Sequence, residues 1–141
     1  MIKCAICCMG GFSSSALMNN LKKQIMDNGL ENEISYEYKP FMSMAKDLAN
    51  GINEFDVIMV CPHQKKEAVK AAQASKVDVP IYVIPPRMYG LVDINELLLD
   101  AQDIKRIYAE KHENPFFFPG EENVLRSNRT KAFRKVHPEL I

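Results

Sequence analysis

A chain of 141 residues with 47% hydrophobic and 26% charged side chains can bury one substantial core and is too short for two full domains. Its 18 Lys and Arg balance 18 Asp and Glu, so global charge supplies no attraction for nucleic acid or an anionic membrane, and any recognition of a charged group must be local. Nothing approaches the roughly 18 consecutive apolar residues that a membrane span requires, which argues against direct membrane insertion.

Cys4, Cys7 and Cys8 crowd the first eight residues, whereas a secreted disulfide framework would space its cysteines out. The short apolar stretch that holds them runs into Gly10, Gly11 and a serine run rather than a cleavage-site pattern, so no signal peptide is legible. The expectation is a cytoplasmic protein with reduced thiols.

Ile2 to Cys7, apolar except for Lys3 and bounded by Gly10 and Gly11, predicts a mostly buried first strand. Ala16, Leu17, Leu21 and Ile25 recur at helical spacing between Ser13 and Asn28, and Gly29 stands where a left-handed cap is wanted. Ile34 to Lys39 alternates as a half-exposed strand and stops at Pro40; Ser43 to Asn50 reads as a short helix closed by Gly51. Asp56 to Cys61 is a continuous apolar strand ended by Pro62, and Lys65 to Lys76 follows as a helix buried through Ala68, Val69, Ala71 and Ala72. Pro80 to Ile84 is a fourth strand, stopped by Pro85 and Pro86. Asp93 or Asn95 caps a last helix carrying Leu97, Leu98, Ala101, Ile104 and Ile107.

Four strand and helix units in alternation predict a small doubly wound α/β domain, a parallel sheet covered on both faces. The periodicity does not derive the strand order. Order 2-1-3-4 is the expectation because it sets the end of the first strand beside a topological switch point, where such folds bind ligands. Residues 1–109 form this domain and 110–141 a C-terminal extension. There Phe116, Phe117 and Phe118 lie between prolines, and Val124 to Ile141 carries Arg126, Arg129, Lys131, Arg134 and Lys135 against Glu139 alone. Basic residues mixed with Val124, Leu125, Phe133 and Val136 read as an amphipathic segment docking on its own domain or on a neighbour rather than as a nucleic-acid site.

The segment Cys7 to Ser15 lies between the first strand and the first helix. A turn there gathers backbone N–H groups, Gly10 and Gly11 permit their convergence, and the helix N-terminus adds partial positive charge, which together make a cradle for an anion. A thiolate at Cys8 would be stabilised by the same donors and would be a competent nucleophile. Phosphoryl transfer spreads its charge over peripheral oxygens, so amides from Met9 to Ser15 and the hydroxyls of Ser13, Ser14 and Ser15 suffice without cofactor or metal. No Gly-Lys-Ser/Thr follows the glycines, so a nucleotide loop is not indicated. A zinc site at Cys4, Cys7 and Cys8 lacks a second ligand pair, and Cys4, Cys7 and Cys61 read as core.

Cys8-Met-Gly-Gly-Phe-Ser-Ser-Ser-Ala-Leu-Met18 resembles the Cys-Ser-Ala-Gly-Met-Ser-Thr-Ser-Leu-Leu-Val phosphorylation loop of lactose/cellobiose-type IIB components of the bacterial phosphoenolpyruvate-dependent sugar phosphotransferase system. Asp56-Val-Ile-Met-Val-Cys-Pro-His-Gln64 is similar to that family's Asp-Val-Val-Leu-Leu-Gly-Pro-Gln strand and loop. Pro80-Ile-Tyr-Val-Ile-Pro-Pro-Arg-Met-Tyr-Gly-Leu-Val-Asp93 resembles its Pro-Val-X-Val-Ile-Asp-X-X-X-Tyr-Gly-X-Val-Asp segment. The resemblance implies a phosphocysteine sugar phosphotransferase: Cys8 takes phosphate from a IIA phosphohistidine and passes it to a sugar bound by the membrane IIC permease. Met9, Gly10, Gly11, Phe12, Ser13, Ser14 and Ser15 would hold the phosphate. His63, between the matched proline and glutamine, and the extension depart from the pattern and bear on partner choice. His63, Arg87 and Tyr89 are each placed to meet the loop or a partner, and the sequence leaves that open.

Two other functions compete. A low-molecular-weight phosphatase or arsenate reductase needs an arginine to clamp the oxyanion, but the required position is Ser14 counted from Cys8, Ser13 from Cys7 and Gly10 from Cys4. A regulatory binding protein on the same scaffold is the second alternative, and the extension is what favours it.

Overall fold

The computed structural model describes residues 1–8 and 12–141, with the backbone alone for residues 8 and 12–15. In chain order the elements are β1 (Ile2–Cys8), α1 (Phe12–Asp27), β2 (Ile34–Pro40), α2 (Phe41–Ala49), β3 (Val57–Val60), α3 (Lys65–Ala74), β4 (Ile81–Val83), α4 (Pro86–Leu91), α5 (Ile94–Lys111) and α6 (Phe133–Val136). Short 3-10 turns at Pro62–Gln64, Val124–Arg126 and Pro138–Leu140 complete the set.

The sheet is parallel with order β2-β1-β3-β4. Alternation along the strands divides the core in two. Cys4, Ile6, Ile34, Tyr36, Val57, Met59 and Tyr82 face the layer of α1 and α5, packing on Leu17, Leu21, Ile25, Leu97, Ala101 and Ile104. Ala5, Cys7, Ile58, Val60, Ile81 and Val83 face α2 and α3 through Phe41, Met44, Leu48, Ala68 and Ala71. Strands buried on both faces explain why β1 and β3 read as continuous apolar runs.

The termini of these elements follow local chemistry. Gly51 adopts φ 77°, the left-handed turn after α2 that a β-carbon would strain. Asp93 caps α5 by accepting from the Asn95 N–H at 3.0 Å. Gln24 of α1 holds that same junction, accepting from the Ile94 N–H at 2.8 Å and donating to the Val92 carbonyl at 2.6 Å. The helix α4 has no counterpart in the sequence reading, which took Pro85 and Pro86 only as a strand stop. Pro86 sits at the start of that helix, where a missing N–H costs nothing.

The extension covers the outer edge of β4. Phe116 forms a parallel bridge with Tyr82 and donates its N–H to the Ile81 carbonyl at 2.7 Å. The Asn114 amide accepts from the Ile81 N–H at 2.9 Å and donates to the Val79 carbonyl at 2.8 Å. Edge groups that would otherwise offer a template to another strand are thereby paired. Phe116, Phe118 and Phe133 enter the α1/α5 core while Phe117 and Val124 pack on the α2/α3 side, so the segment straddles the sheet edge. The expected division between residues 109 and 110 falls within α5.

Candidate functional site

The sheet places the β1–α1 junction at its switch point. β1 connects to β2 on one side through α1, and β2 then returns across β1 through α2 to β3 on the other side. The crevice between the C-terminal ends of β1 and β3 is therefore open to loops from both, the position where doubly wound sheets take ligands. Cys8 is the last residue of β1, with its Cα in register with Pro40 of β2, and α1 begins at Phe12. The sixteen-residue α1 aims the positive end of its dipole at this edge. Met9, Gly10 and Gly11 lie outside the described residues, as do the side chains of Cys8, Phe12, Ser13, Ser14 and Ser15. The anion cradle expected of them rests on the sequence and on this frame.

The loop after β3 borders the junction. Cys61 donates its N–H to the Cys7 carbonyl at 3.2 Å, and Pro62–Gln64 then forms a 3-10 turn leading into α3. Cys61 is fully buried, as expected of a packing residue, and its Sγ also donates to Gln64 Oε1 at 3.2 Å and lies 3.5 Å from His63 Nε2. Gln64 is only 2% exposed, and its Nε2 has no hydrogen-bond partner among the described residues. A buried donor left without any partner costs about 1–3 kcal/mol in desolvation. His63 is exposed, Arg87 of α4 is exposed, and Tyr89 packs half-buried against the α1/α5 core.

Cys4 and Cys7 are core residues on opposite faces of the sheet, both fully buried. Burial pushes the Cys4 thiol up to about 12 despite the Tyr36 hydrogen bond, so this sulfur stays protonated and inert.

Sequence reasoning missed the polar network that fixes the extension. Glu96, Asp100 and Asp103 share the buried face of α5 with its apolar residues. Each holds a basic group of the extension: Lys135 to Glu96 at 2.7 Å, Arg129 to Asp100 at 2.9 Å, and Arg134 to Asp103 at 2.8 Å. The signal was their helical spacing in phase with Leu97, Ala101 and Ile104, which sets acids on a stripe that faces inward. These contacts dock three of the five basic residues on the chain's own domain.

Sheet order, covered faces and the open edge at β1 and β3 define a doubly wound α/β domain of the kind that handles a ligand at its switch point. Residues 3–100 match the model of the lactose/cellobiose-specific IIB subunit of the PTS system, and the chain belongs to that family. It is thereby a transferase component of sugar transport by the phosphotransferase system. The match ends inside α5, so the extension lies beyond it. No curated protein matches the chain significantly. Among the described residues no helix is long and apolar enough to cross a membrane.

Proposed function

We propose that the chain is a cytoplasmic phosphoryl carrier that accepts phosphate on Cys8 from the phosphohistidine of a IIA component and delivers it to a sugar bound by a IIC permease. One observation carries this reading: a cysteine that ends β1 at the switch point, with a helix starting just beyond it, falls within the family match. In the first half-reaction the Cys8 thiolate attacks phosphorus as the P–N bond to the donor imidazole breaks. In the second, a sugar hydroxyl attacks the same phosphorus, and the S–P bond breaks to return the thiolate. Charge on the equatorial oxygens is met by amides of Met9 to Ser15 and the α1 terminus, which stabilise transferring phosphate without a metal or nucleotide. The absence of a clamping arginine in the loop suits a carrier that must hold its phosphocysteine until the acceptor arrives.

The test is phosphorylation of the full chain with the general phosphotransferase proteins, a cognate IIA and labelled phosphoenolpyruvate. Acid-stable background aside, label that appears in wild type and vanishes in Cys8→Ser supports the carrier. A wild type that takes no label sinks it and leaves the regulatory binding function. Hydrolysis of p-nitrophenyl phosphate by wild type but not Cys8→Ser would replace it with a phosphatase.

A further inference from the structure

β1 and β3 pair with a constant register from Cys4 opposite Val57 to Cys7 opposite Val60. One residue further, that register sets Cys8 opposite Cys61. The Cys61 N–H donates to the Cys7 carbonyl at 3.2 Å, the bond by which a parallel ladder joins the next pair. Adjacent strands lie about 4.8 Å apart, within the ~4.4–6.8 Å that Cα atoms span across a disulfide. We propose that Cys8 and Cys61 form a reversible disulfide in response to peroxide, making the β1–β3 edge a redox switch on the phosphoryl-acceptor position.

Cys61 is set up for the resolving role. It is fully buried, so its thiol is shielded from direct attack by oxidant, and its Sγ is fixed by Gln64 Oε1 with the His63 imidazole 3.5 Å away. Where the resembled strand and loop carry glycine, this chain carries this cysteine. Cys4 is excluded by its place in the α1/α5 core and Cys7 by its place on the opposite face.

The chemistry balances in two steps. The Cys8 thiolate attacks hydrogen peroxide, the O–O bond breaks, and Cys8 sulfenic acid and hydroxide form. The Cys61 sulfur then attacks the sulfenic sulfur, an S–S bond forms and the S–O bond breaks. His63 takes the Cys61 proton and passes it to the departing hydroxide, which leaves as water. Two electrons pass from the pair of sulfurs to peroxide, and a dithiol reductant returns them. A phosphorylated Cys8 has no thiolate to oxidise, and a bridged Cys8 has none to phosphorylate. Bonds across neighbouring strands are strained and readily reduced, which suits a switch in a reducing compartment. The effect on transfer rests on the carrier reading above, whereas the crosslink does not.

The full chain is treated with hydrogen peroxide, its remaining thiols alkylated, and its peptides sequenced by mass spectrometry under non-reducing conditions. The expected result is a fragment linking Cys8 to Cys61, with phosphocysteine labelling lost on oxidation and regained with dithiothreitol. In Cys61→Gly and Cys61→Ser the reduced protein still takes label, but oxidation drives Cys8 to sulfinic acid and the loss persists after dithiothreitol. No linked fragment, a Cys8–Cys7 link instead, or full recovery in both Cys61 variants would overturn the switch. Reduced wild type that takes no label overturns the carrier reading alone, and the linked fragment still decides the switch.

Discussion

Arg129 of the extension and Asp100 of α5 form an ion pair at 2.9 Å in which the two side chains are 3% and 0% exposed. The same guanidinium meets Glu121 at 2.7 and 3.0 Å and the Tyr82 hydroxyl at 2.8 Å, with its carbon 5.3 and 5.5 Å from the ring centroids of Phe118 and Phe133, which stack on each other at 4.5 Å. One planar fork therefore joins the extension, α5 and β4. Arg129→Met leaves the Asp100 carboxylate buried without its cation, and urea unfolding at neutral pH is expected to show a loss of about 3–5 kcal/mol. Arg129→Lys recovers only part of this, because an ammonium cannot reach Tyr82, Glu121 and Asp100 in one plane. A loss within that of an ordinary surface substitution would mean that the extension is not held by this cluster.

The same cluster sets a pH dependence. Burial pushes the Asp100 carboxyl up to about 6 from its ordinary 3.8, against the pull of Arg129 and the Phe133 N–H. The folded state then holds a proton that the unfolded chain has released, so the stabilisation is complete below pH 3.8 and is lost as pH rises through about 6. Unfolding free energies measured across this range should fall in wild type relative to Asp100→Asn, which has no proton to lose. A carboxyl carbon titration of Asp100 with its midpoint at or below the ordinary value would refute it.

The sequence made the sheet legible because each strand is bounded by a proline, a glycine or a polar turn, and because β1 and β3 are apolar on both faces. The position of Cys8 followed from the same pattern. The path of the extension did not follow, since its bonds depend on residues far apart in the chain. Arg129 reads as one of five surface charges until Asp100, 29 positions earlier, is seen to be buried. Likewise the Cys8–Cys61 pairing needs the strand register, which a sheet buried on both faces does not reveal through alternation.

Asn114 offers a local test of the covered edge. Its amide serves both the Ile81 N–H and the Val79 carbonyl. Asn114→Ala removes both bonds at about 0.5–1.5 kcal/mol each. Hydrogen exchange at the Ile81 amide should accelerate accordingly, while the amides of central β1 stay protected. Unchanged exchange at Ile81 would show that Phe116 alone closes the edge.

Gln64 presents the opposite case, a buried polar group whose removal should help the resting fold. Among the described residues its Oε1 has only the weak S–H of Cys61 and its Nε2 has no partner. Methionine matches its length and flexibility without the stranded donor. Gln64→Met is therefore expected to leave unfolding free energy unchanged or raise it by about 1 kcal/mol, read from the urea midpoint of unphosphorylated protein. If the amide instead serves the transferring phosphate, the gain in stability is accompanied by faster loss of label from phosphorylated protein. A variant destabilised by more than 1–2 kcal/mol would show that the glutamine amide is satisfied within the resting fold.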